Sequence, residues 1–312
     1  MSDPMDLRDA LARDGAVPPD NSHTAREIWT QPDCWRRAGA LATEVSGLPQ
    51  PGSRVAVTGC GTSWYVAQAY ARLRESRGHG LTDAFATSEM PTRDYDRIVA
   101  ISRSGTTTEV VDLLGSLPPA TDVVVVTADP TSPVVERASD VVVLDFADEA
   151  SVVQTRFATS TLALLRSHLG EAIEAAADDA ERALRLPLDR LLTAEQITFL
   201  GAGWTVGLAH EAALKLREAA RAWTESYPAM EYRHGPVSIA QPGRLVWMFG
   251  EPPEGLADEV ARTGAAFHTS GEIDPMADLV RAQRLAVALA RARGIDPDRP
   301  RHLNRSVVLD AG

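Results

Sequence analysis

One seven-residue pattern occurs twice in this chain. Val55-Ala-Val-Thr-Gly-Cys-Gly61 aligns without a gap on Ile197-Thr-Phe-Leu-Gly-Ala-Gly203, and an alanine-rich helical stretch follows each copy. A short apolar run, a glycine turn and an amphipathic helix form one βα unit. Two such units confine the chain to an α/β architecture with like halves. Further strands are read over 84–88, 97–101, 122–127 and 141–144 in the first half. In the second they are read over 197–200, 244–250 and 265–269. The unbroken valine and isoleucine runs suit strands covered on both faces, as in a parallel sheet with crossover helices. Helices are expected over 27–45, 64–76, 108–117, 152–168, 172–186 and 275–293, with a linker near 186–193. The expected fold class is α/β, with two tandem subdomains, each a mostly parallel sheet flanked by helices. A mobile tail is expected over 1–24, the first unit over 25–186, and a shortened second unit with a closing loop over 187–312.

Composition removes several classes of function. The formal net charge of −12, with no basic run, argues against nucleic acid or an anionic membrane as partner. Two cysteines, Cys34 and Cys60, cannot build a disulfide framework, so a reducing, cytoplasmic setting is expected. The first 24 residues lack the apolar core of a secretory signal. No HExxH, HxH or CxxC spacing occurs, so no metal is expected. Nor is a cofactor: Gly59-Cys-Gly61 fails as a dinucleotide fingerprint, because Trp64 stands where a third glycine is needed.

Lysine occurs once among 31 Lys and Arg residues, at Lys215. It lies on a helical pattern with Glu211 four residues before it and Glu218 three after, so all three share a face. Taken alone, the trio reads equally as a solvated ion-pair ladder. Elsewhere, Ser102-Arg-Ser-Gly-Thr-Thr107 follows a buried strand and opens a helix. Helix-start amides are unpaired and partly positive, and one hydroxyl suffices for a cap, so four in six residues point to a phosphate cradle. Thr62 and Ser63 open a second helix and are candidate donors to sugar hydroxyls. Cys60 beside them reads as a packing residue, since no base is visible near it. His234, before Gly235-Pro236, is either structural or an acid/base group.

Taken together and in order, these motifs resemble the double sugar-isomerase (SIS) family, most of all the isomerase half of glutamine–fructose-6-phosphate amidotransferase. The resemblance runs from Arg26-Glu-Ile-Trp-Thr-Gln-Pro32 through the 59–63, 102–107, 211–218 and 231–236 segments to Arg299-Pro-Arg-His-Leu-Asn-Arg-Ser306. It implies that Ser102, Ser104 and Thr107 hold a sugar phosphate, helped by the Arg103 amide, with Thr62 reaching the phosphate and Ser63 bordering the pocket. It places Glu218 as the base that moves a proton between C1 and C2, with Lys215 beside the developing charge. His234 becomes the ring-opening histidine, donated by a neighbouring subunit of a homodimer. Gln154 stands where a serine contacts the sugar, and Arg305 where the family has a Schiff-base lysine. The resemblance implies an isomerase or deaminase acting on an amino-sugar 6-phosphate. A ketosamine-phosphate deglycase and a non-catalytic sugar-phosphate-binding regulator are the alternatives. The catalytic readings require Glu218 and the hydroxyl loop to face one crevice, whereas a regulator needs only the hydroxyls.

Overall fold

The computed structural model describes residues 21–309. Two helices, α1 (His23–Trp29) and α2 (Gln31–Leu41), precede the first sheet. That sheet comprises β1 (Val55–Gly59), β2 (Thr82–Ala86), β3 (Arg97–Ile101), β4 (Val123–Thr127) and β5 (Asp140–Val143), ordered β2-β1-β3-β4-β5. Helix α3 (Thr62–Ser76) connects β1 to β2, and α4 (Thr108–Ser116) connects β3 to β4. Helices α5 (Arg156–His168) and α6 (Glu174–Ala183) lead to the second sheet. It holds β6 (Gln196–Gly201), β7 (Thr224–Pro228), β8 (Arg244–Phe249) and β9 (Ala266–Thr269), ordered β7-β6-β8-β9. Its helices are α7 (Thr205–Ala220), α8 (Leu256–Thr263) and the closing α9 (Pro275–Ala292). Every strand pair is parallel.

In both sheets the chain leaves its first strand toward one edge and returns on the other side. The carboxyl ends of β1/β3 and of β6/β8 are therefore topological switch points, where open α/β sheets offer a crevice. Between the units, α3 packs on α7. Gly207 permits the close crossing: a Cβ there would lie 2.4 Å from the Tyr65 carbonyl oxygen. Several buried polar groups in this core are paired. Trp35 Nε1 donates to Thr159 Oγ1 at 2.8 Å, Gln31 bonds Gln283 at 2.7 Å, and Trp247 Nε1 donates to Asp278 at 2.7 Å.

Several expectations need correction. Residues 22–24, expected to belong to the tail over 1–24, are part of the fold. The Ser22 hydroxyl accepts from the Ala25 amide, while the His23 and Thr24 amides donate to Asp298 at 2.7 and 2.9 Å. The acceptors satisfy a helix start that would otherwise be unpaired; residues 1–20 lie outside the described residues. The helix expected from 152 starts only at Arg156, because the buried Glu149 carboxylate takes the amides of Thr155 and Arg156 at 2.6 and 2.8 Å. Gln154 therefore lies in the loop before α5. The second unit also holds β7 and α8, which the sequence pattern did not reveal.

Candidate active site

The loop after β3 forms a compact hydroxyl nest. Ser102 Oγ accepts from the Gly105 amide at 3.2 Å, and Ser104 Oγ accepts from the Thr106 amide at 3.3 Å. Gly105 makes the bend at φ +62, and a Cβ there would lie 2.0 Å from Ser132 Oγ, so no other residue fits. Thr107 is extended and hands the chain to α4. Across the switch point, the turn after β1 presents Thr62 and Ser63, both buried at the start of α3.

Lys215 reaches this place from the other unit. It is 1 % exposed, which rules out a solvated ladder. Its Nζ donates to Thr62 Oγ1 at 2.9 Å and to Glu218 Oε2 at 2.5 Å, and stands 3.6 Å from Glu211 Oε1. Burial alone would push the Lys215 pKa down, but the neighbouring carboxylates outweigh it and the net shift is upward, so the ammonium keeps its proton. Helix α7 thus delivers a cation and a carboxylate against the hydroxyls of the first unit.

These groups line one cavity of about 170 Å³. Thr62 and Ser63 form one wall, Ser102 to Ser104 and Thr107 another. Lys215 and Glu218 close a third side, and Gln154 and Arg305 complete it. The Arg103 side chain is buried and turned to structural partners, so only its backbone is left for a ligand. The Gln154 Oε1 atom is buried with no protein partner. Arg305 forms a half-exposed ion pair with Asp148. His234 is not among the residues that line the cavity. It lies exposed on the short turn Glu231–His234. Burial pushes the Cys60 thiol pKa up, which suits packing rather than nucleophilic attack.

The glucosamine-6-phosphate deaminase of Thermotoga maritima superposes with a TM-score of 0.76, is 25% identical, and covers 92% of this chain with 100% of its own. The chain resembles the double sugar-isomerase (SIS) family in both sequence and fold. The tagatose-6-phosphate ketose/aldose isomerase of Escherichia coli shares the fold at a TM-score of 0.74 and 19% identity, over 96% of this chain and 99% of that one. Among curated relatives, the glutamine–fructose-6-phosphate aminotransferase of Pyrobaculum aerophilum is 26% identical over 91% of this chain and 57% of its own length. The chain thus spans just over half of such a relative. No family model matches the sequence.

Three participants escaped the sequence reading. Glu211 was seen only as one rung of an ion-pair ladder. It is buried, and its carboxyl pKa is pushed up to about 8, chiefly by burial, so it is neutral at pH 7. Ser306 lies across the nest, within 2.9 Å of Thr106 Oγ1 and 3.2 Å of Ser104 Oγ. Glu149 holds the amides that follow the Gln154 loop. Only a repeat of partner distances in space, not a motif, would have revealed these. Among the described residues, no cluster of three His, Cys, Asp or Glu could hold a metal ion, and no helix is long and apolar enough to cross a membrane.

Proposed function

We propose that this protein is a sugar-phosphate isomerase/deaminase acting on an amino-sugar 6-phosphate. One observation carries the reading: a cation–carboxylate pair and a hydroxyl nest share a cavity, with Thr62 Oγ1 accepting from Lys215 Nζ. Ser102, Ser104 and Thr107, with the Arg103 amide and Thr62, hold the phosphate. Ser63, Gln154 and Arg305 border the sugar. Glu218 takes the C2 proton of the open-chain aldose and returns it at C1, while the Lys215 ammonium opposes negative charge growing on the C1 oxygen. The C2 amine of the substrate then becomes an iminium; water adds at C2, ammonia leaves, and a ketose phosphate remains. This route needs no imine on the enzyme. That fits Arg305, a guanidinium, and Lys215, held as an ammonium. His234 opens the sugar ring from the neighbouring subunit of a homodimer, which its exposure in the single chain permits.

Ammonia release from glucosamine 6-phosphate tests the reading. Glu218→Gln should lower kcat by roughly 10²–10⁴-fold while leaving phosphate affinity near wild type. Full activity in that variant removes Glu218 as the base. Binding without turnover of any amino-sugar phosphate by the wild type favours a regulator. Arg305 keeps one further substrate in play. Release of an amino acid from a ketosamine 6-phosphate, in preference to ammonia from the free amino sugar, makes the protein a deglycase.

A further inference from the structure

The Arg103 side chain connects three segments that wall the cavity. It belongs to the hydroxyl loop. Its Nη1 donates to the Ser151 carbonyl at 3.0 Å, three residues before Gln154. Its Nη2 donates to the Arg305 carbonyl at 2.9 Å. The buried Glu149 carboxylate stands 3.5 Å away as counter-charge. The 303–309 segment, in turn, lies across the hydroxyl loop by two kinds of contact. Ser306 bonds the hydroxyls of Ser104 and Thr106. On the backbone side, the Thr108 amide donates to the Val307 carbonyl at 3.0 Å, and the Leu309 amide donates to Thr108 Oγ1 at 2.9 Å.

These contacts respond differently to a bound anion. A phosphate in the nest would use the same hydroxyls as Ser306, so the two compete. The bond from Arg103 to the Arg305 carbonyl uses no nest hydroxyl and survives. We propose that Arg103 is a positioning residue, which keeps the 303–309 segment anchored across the cavity while a phosphorylated ligand takes the hydroxyls from Ser306. The proposal rests on the phosphate reading of the loop given above. The Arg305 side chain is a weaker tether, because its ion pair with Asp148 is half exposed.

Amide hydrogen exchange at Thr108 and Leu309 reports the anchor directly. It is measured on the full chain, with and without saturating inorganic phosphate. The wild type should keep both amides protected in phosphate. Arg103→Met should raise their exchange at least about tenfold, the scale of a lost hydrogen bond from a charged donor. Asp148→Asn should leave them unchanged. Arg103→Lys retains a cation beside Glu149 but can reach only one carbonyl, and should show a smaller rise; it decides the matter if the methionine variant does not fold. Wild-type protection in the folded Arg103 variants overturns the proposal. In turnover, the anchor's loss should lower kcat for glucosamine 6-phosphate more than it raises KM. If phosphate leaves the exchange of Gly105 and Thr106 unaltered in the wild type, the phosphate reading fails, yet exchange without phosphate still judges the anchor.

Discussion

Glu211→Gln should stabilise this protein, by an amount that grows with pH. Glu211 is a buried residue of α7, with Lys215 Nζ 3.6 Å away and no hydrogen bond to either carboxyl oxygen. Burial raises its pKa from 4.5 to about 8, even though Lys215 pulls it down. The folded state therefore binds one proton more than the unfolded chain between those values. Stability from this group is full below pH 4.5, falls as pH rises toward 8, and is level beyond. Each pH unit in that window costs about 1.4 kcal/mol. At pH 7 the wild type has lost about 3 kcal/mol relative to a neutral isostere, and at pH 5 less than about 1 kcal/mol. Urea unfolding of wild type and Glu211→Gln at several pH values between 5 and 8 measures the divergence. The two stabilities should nearly coincide at pH 5 and separate steadily above it, with glutamine the more stable. If the glutamine variant is instead less stable at pH 7, Glu211 is ionised in the fold and Lys215 is its salt-bridge partner. The assignment of a neutral carboxyl beside Lys215 then fails.

Two further outcomes follow. Gly207→Ala places a Cβ against the Tyr65 carbonyl, forcing α3 from α7 at a cost of about 1–3 kcal/mol; an unchanged urea midpoint would show that the crossing has slack. For His234, mixing inactive His234→Ala and Glu218→Gln chains under exchange of subunits should restore roughly a quarter of wild-type activity, since half the dimers would carry one intact site. No recovery in proven mixed dimers places His234 outside the partner's site.

Much of this fold is legible in residue pattern, and the exceptions have physical causes. The runs at β1, β3 and β4 are covered on both faces, so valine, isoleucine and alanine fill them and announce strands. Strand β7 lies at a sheet edge and is half exposed. Thr224-Glu-Ser-Tyr-Pro228 has no apolar run to announce it, and proline is tolerated at an edge. The start of α5 was misread because its cap comes from Glu149, six residues before Thr155, outside the usual capping spacing. Of the site, the hydroxyl loop and the Lys215 pair were visible as local clusters. Ser306 was not, because its meaning lies in contacts some two hundred residues distant in sequence.

The duplication also bears on why the hydroxyl loop and the Lys215 pair occur once each rather than twice. Register places Ile101 and Phe249 in equivalent positions, opposite Gly59 and Gly201. The hydroxyl loop from Ser102 to Thr107 therefore corresponds to Gly250-Glu-Pro-Pro-Glu-Gly255. Both loops open a helix and so offer the same partly positive end. In the second copy, however, two prolines remove amide donors and Glu251 and Glu254 set negative charge where an anion would sit. The helices diverge in the opposite sense. Where α7 carries Lys215 and Glu218, the gap-free equivalents on α3 are Leu73 and Ser76. The hydroxyl loop thus belongs to one copy and the cation–carboxylate pair to the other. Because α3 and α7 cross at Gly207, the two halves meet at Thr62, whose hydroxyl takes the Lys215 hydrogen bond. A chemistry that needs both halves can then occur only once per chain, at the switch point of the first sheet.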